Sequence, residues 1–166
     1  MVTGDSRIFV NSKSVPMYSK QEVSLLRKKF WTSFGQYMKP LPGSEGQTVN
    51  WLNYNTGVKH LYFRMDAGYG EASVSIELTH PEDKAREQCF EKFLELRSIF
   101  KNGLPGKWSW EKNSTDESGR PVSRIFAVLN GVSILNRDDW PAIISFLKPR
   151  ILALDEFWTT VKTAFE

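Results

Sequence analysis

Residues 48–79 read TVNWLNYNTGVKHLYFRMDAGYGEASVSIELT, and the alternation of apolar and polar positions along this stretch decides the fold. Turn residues at Asn55-Thr56-Gly57 and Ala67-Gly68-Tyr69-Gly70 part three alternating runs, which predicts a three-stranded antiparallel meander. With Gly57 at the left-handed position of a three-residue loop, Val49 faces Phe63 and Trp51 faces Leu61. A four-residue second loop sets Leu61 against Ile76, Phe63 against Val74 and Met65 against Ala72, giving one apolar face. The opposite face is polar. It stacks Asn50, Tyr62 and Ser75 in one row and Leu52, His60 and Glu77 in another, with Arg64 beside Ser73.

Outward from the meander the pattern turns helical. Ser19 followed three residues later by Glu22 is a capping-box spacing, and Val23, Leu26, Phe30, Phe34 and Tyr37 form an apolar stripe on a helix from Lys20 to about Met38. Lys39-Pro40-Leu41-Pro42-Gly43 stops it. On the other side, His80-Pro81-Glu82-Asp83 opens a helix that continues to about Asn102-Gly103, with Ala85, Cys89, Phe93, Leu96 and Phe100 on its main stripe. Phe90 and Leu94 lie off that stripe, so this helix is expected to be buried on more than one side. Trp108 to Glu111 and Val122 to Leu129 read as a second hairpin around a Ser114–Gly119 loop, and either face of the later strand can meet the tryptophans. Asp138-Asp139-Trp140-Pro141 begins a terminal helix that Pro149 is expected to kink or split. Its closing stripe is Ile151, Leu154, Trp158, Val161 and Phe165. The order predicts an α+β domain over residues 19–166, with helices on one face of an antiparallel sheet, a two-stranded hairpin and a kinked terminal helix. Residues 1–18, including Arg7-Ile8-Phe9-Val10, read as a tail that contains a short strand at most.

Composition narrows the function classes. A chain of 166 residues with 40% hydrophobic side chains fits one domain, and a net charge of +3 does not by itself demand a polyanionic partner. Residues 20–39 nevertheless place Lys20, Arg27, Lys28, Lys29 and Lys39 against Glu22 alone. A single cysteine excludes an internal disulfide framework and favours a reducing cytoplasm. The absence of an apolar run of about 18 residues and of a basic-then-apolar leader leads to the expectation of a cytoplasmic protein outside the membrane.

The segments KKFWTSFGQYMKP, VNWLNYNTGVKHLYFRMD and DWPAIISFLKPRILALDEFW resemble the bacterial family catalogued as domain of unknown function 4268. The resemblance covers Lys20 to Glu166 and rests on aromatics and turn residues. It implies relatives, some of them longer proteins carrying nuclease-like or defence-associated regions, and no activity.

The order of helix, meander, helix and strand is also that of restriction-nuclease-like cores, which need two carboxylates around Mg²⁺ and a lysine one spacer beyond the second. Here Ile76-Glu77-Leu78-Thr79 has threonine where that lysine would stand. Asp66 falls roughly 15 to 20 Å from the row of Glu77 at about 3.3 Å per residue. His60 opposite Glu77 suggests a proton-transfer pair, with Arg64 nearby, yet a decorative cross-strand pair explains it more simply. His80 reads as a boundary residue and Cys89 as a buried thiol. Neither a metal nor a cofactor is indicated. Arg27, Lys28 and Trp31 share a helical rim on which a base could stack while cations meet phosphate, although cations covering a half-buried ring give the same pattern. The expected function is a non-enzymatic interaction domain, with nucleic acid as the first partner class to test. A diverged or inactive nuclease-like enzyme using the Glu77 face is the alternative.

Overall fold

The computed structural model describes residues 18–166. The Arg7-Ile8-Phe9-Val10 strand and nearly all of the tail therefore lie outside the described residues. Helix α1 spans Lys20–Met38, capped by the Ser19 hydroxyl on the Glu22 amide at 3.1 Å and by the Glu22 carboxylate on the Ser19 amide at 3.0 Å. Its stripe ends on buried Met38, while Tyr37 points to solvent, because 3.6 residues per turn carry position 38 back beneath Phe34.

The first run of the expected meander is not a strand. Trp51–Asn53 is a 3₁₀ turn started by the Asn50 side chain, and Trp51 still reaches the core by donating its indole N–H to the Leu41 carbonyl at 2.9 Å. Chain reversal then occurs over residues 55–60. Gly57 takes φ +77° and His60 takes φ +66°, a left-handed conformation that breaks any strand entering from the N-terminal side.

Strands β1 (Leu61–Ala67) and β2 (Glu71–Leu78) pair as Leu61 with Leu78, Phe63 with Ile76 and Met65 with Val74. This register is displaced by two residues from the expected one. The Gly68 amide bonds to the Glu71 carbonyl at 2.8 Å, so the tip is Tyr69-Gly70 alone rather than a four-residue loop. An even displacement keeps every side chain on its face, and Leu61, Phe63, Val74 and Ile76 are buried as expected.

After β2 come α2 (Asp83–Glu95) and α3 (Arg97–Gly103), which break at Leu96 where one helix was expected. The hairpin of β3 (Ser109–Thr115) and β4 (Pro121–Asn130) is not a separate unit. Strand β4 pairs with β2, Ile125 against Ile76 and Ala127 against Val74, to make one four-stranded antiparallel sheet of order β1-β2-β4-β3. Trp110 pairs with Ile125, which settles the hairpin register with the tryptophan on the apolar face.

Helix α4 (Trp140–Val161) runs unbroken through Pro149. Proline removes the amide that would reach Ser145, and beside that gap the Phe146 carbonyl accepts from the Arg150 guanidinium at 3.0 Å. Trp158 packs edge-on against Phe63 at 5.7 Å and donates its indole N–H to the Thr56 carbonyl at 2.9 Å. Phe30, Phe34, Phe93, Phe100, Leu147 and Leu154 join the inward side chains of the sheet in one core, each contributing about 1.5–3 kcal/mol by burial. Buried Asp155 accepts from the Tyr54 hydroxyl and, at 2.8 Å, from the Ser44 amide, tying the irregular segment before β1 to α4.

Candidate functional site

With the helices on one side, the other face of the sheet is open. The observed register sets Tyr62 opposite Glu77, Glu77 opposite Arg124, and Arg64 opposite Ser75. Glu77 sits between two guanidinium groups, with Arg64 Nε at 2.9 Å and Arg124 Nε at 4.0 Å. The Ser75 hydroxyl donates to its second oxygen at 3.1 Å. Each arginine also lies over a ring of the same face, Arg64 over Tyr62 at 4.4 Å and Arg124 over Phe126 at 4.2 Å. The β3–β4 turn overhangs this face and closes a shallow cleft of about 590 Å³ lined in part by Arg64, Glu77, Arg124 and Asp116.

The expected His60 and Glu77 pair does not form. His60 precedes β1, and its carbonyl accepts from the Thr79 amide at 2.9 Å, so its cross-strand neighbour is Thr79. The ring lies instead beside His80, with centroids 5.3 Å apart. His80 Nδ1 is buried without a hydrogen-bond partner among the described residues. Burial, then the neighbouring His60 and Arg86, hold the His80 imidazole below its ordinary pKa. Asp66 pairs with Ser73, four strand positions from the Glu77 row, or about 13 Å. No group of three or more His, Cys, Asp or Glu side chains able to hold a metal occurs among the described residues. Burial pushes the Cys89 thiol up to about 11.

The α1 trio does not converge. Arg27 turns away to donate to the Ala67 carbonyl at 3.3 Å and to lie over the Tyr69 ring at 5.7 Å, fastening the helix to the β1–β2 turn. Trp31 is half-buried, edge-on to Phe30 at 5.0 Å and to Phe34 at 6.0 Å, while Lys28 is exposed.

A third surface escaped the reading of the sequence. Edge strand β3 carries Trp110 half-buried on its apolar face, and Trp108 just before the strand; both rings stand edge-on to Phe100 of α3 at 5.2 Å. Arg97 lies over the Trp110 ring at 5.7 Å. Lys101 and Lys107 flank a cleft of about 350 Å³ floored by Phe100, Trp108 and Trp110, and no carboxylate lines it. Arg97, Lys101, Lys107 and Arg150 form no ion pair among the described residues. The signal was present in Gly106-Lys107-Trp108-Ser109-Trp110. It stayed hidden because only the strand order shows that these tryptophans sit at the sheet edge, half-covered.

The family model described as "Domain of unknown function (DUF4268)" matches residues 26–162. The chain belongs to this family. The matched DUF4268 region includes the Arg64–Glu77–Arg124 face, the histidine pair and the α3–β3 cleft, and extends to the end of α4. No curated protein and no solved structure matches the chain.

Proposed function

We propose that this domain is a non-enzymatic interaction module of a bacterial cytoplasmic protein and that its partner is nucleic acid. The observation that carries the reading is the segregation of charge. On the open sheet face Glu77 is held between Arg64 and Arg124, whereas the α3–β3 surface combines cations lacking carboxylate partners among the described residues with half-buried tryptophans. Cations that meet phosphate beside rings that can meet a base are the usual elements of a nucleic-acid surface.

The nuclease-like alternative draws no support from the Glu77 face. The Glu77 oxygens are engaged by guanidinium and hydroxyl donors, and Asp66 stands too far along β1 to share an ion with it. The test is a gel-shift titration with labelled DNA and RNA, with and without Mg²⁺ or Mn²⁺. The proposal expects a shift that weakens steeply with salt and leaves the strands intact. Metal-dependent cutting would replace it with the nuclease-like reading, and no shift at low salt would remove nucleic acid as the partner.

A further inference from the structure

We infer that the α3–β3 cleft is where nucleic acid binds and that it selects single strands by taking one unpaired base between its cations, an inference that rests on the nucleic-acid reading above. Shape is the first argument. At about 350 Å³ the cleft lies at the small end of the roughly 300–1,000 Å³ range of ligand pockets. It is concave, so it admits a protruding base; reading a duplex calls for the opposite, a helix or ribbon that projects into a groove. A stacked, paired base cannot enter without leaving its partner.

The floor is prepared for a flat ring. The Trp108 indole N–H donates to the Pro105 carbonyl at 2.9 Å and its ring abuts Phe100, so the side chain is held before any ligand arrives. Little side-chain freedom remains to be lost on stacking. Aromatic stacking accepts any base, which suits a site without side-chain carboxylates or amides to read base edges.

The rim supplies the charge for the backbone. Lys101 at the end of α3 and Lys107 in the following loop are exposed on the lining of the cleft. Beneath that loop, Arg150 of α4 supports Gly106, which itself lines the cleft. Gly106 adopts φ +79°, and a Cβ there would stand 2.6 Å from Arg150 Nη2, so the loop rests on the guanidinium only because residue 106 lacks a side chain. Arg150 lies over the Phe146 ring at 4.1 Å, and its Nε is buried without a partner among the described residues.

The test is fluorescence anisotropy with a labelled oligothymidylate, the same length of blunt duplex, and a glutamate-rich peptide. Wild type is compared with the double variant Lys101→Glu/Lys107→Glu and with Lys28→Glu/Lys29→Glu, an equal charge change on exposed positions of α1; circular dichroism verifies that each is folded. We expect the single strand to bind about tenfold or more tightly than the duplex, and the cleft variant to lose about tenfold or more. Loss of two phosphate contacts should also flatten the slope of log K against log salt by about 1.4, while the α1 variant stays near wild type. Equal affinity for duplex, or a larger loss in the α1 variant, would overturn the cleft as the site while leaving the nucleic-acid reading intact. Tighter binding of the acidic peptide, or no binding of either nucleic acid by wild type, would overturn both.

Discussion

Glu77 has a guanidinium on either side and a buried hydroxyl beside it, and that neighbourhood sets what its removal should do. Glutamine in its place can still accept from Ser75 but leaves Arg64 and Arg124 facing each other without a counter-charge. Because Arg64 is half-exposed, Glu77→Gln should cost only about 1 kcal/mol in urea unfolding at low salt, and less at high salt. A variant as stable as wild type at low salt would show that water already screens these charges from one another. His80 gives a pH signature of opposite origin. Its pKa is depressed in the fold, first by burial and then by His60 and Arg86, so the stability from keeping it neutral is complete above about pH 6.5 and lost as pH falls through the folded value. His80→Gln should therefore have a shallower decline in stability between about pH 6.5 and pH 5 than wild type. Coincident acid limbs for the two proteins would exclude His80 from that decline.

Among the elements, α1 was legible in its bounds, its capping box and its Phe30 and Phe34 stripe, local signals that need no partner, and only its last buried position, Met38 in place of Tyr37, differed. The β1–β2 hairpin was legible by face and not by register. Alternation distinguishes odd displacements from even ones, but Gly68 and Gly70 permit both a two-residue and a four-residue turn, and only the Gly68–Glu71 backbone bond decides. That even displacement moved Glu77 from His60 to Tyr62, which is why the candidate pair dissolved while the core residues stayed in place. The segment 48–54 misled for another reason. Val49, Asn50 and Trp51 alternate as in a strand, yet the Asn50 side chain accepts from the Asn53 amide and caps a turn that outcompetes a ladder. In α4, tertiary packing overrides local preference, because Ile143, Leu147, Ile151 and Leu154 are buried on both sides of exposed Pro149. Pro149→Ala should restore a helical hydrogen bond and raise stability by about 2 kcal/mol, the helix gain less the extra freedom of the unfolded chain. An unchanged thermal midpoint would mean that the backbone around Ser145 already compensates for the missing donor.

At the scale of the whole molecule, helices fill one side of a four-stranded sheet, and the described surface presents three differing patches. The open sheet face sets Glu77 between two arginines, the α1 rim spends Arg27 on a backbone carbonyl, and the β3 edge gathers cations around two tryptophans. No described helix is long and apolar enough to cross a membrane. The α+β class and the apolar core could be read from periodicity, whereas the β3 edge could not, because it is created by β4 joining β2 far along the chain. Position in the sheet order turns Trp108 and Trp110 from core residues into a half-open floor. Photo-crosslinking to an oligothymidylate bearing 4-thiothymidine, followed by peptide mapping, tests the central claim most directly because it reports the surface itself. The account predicts adducts confined to residues 101–110, at Lys101, Lys107 or Trp108; adducts at Lys28 or Trp31, or on the Tyr62 and Phe126 face, would contradict it.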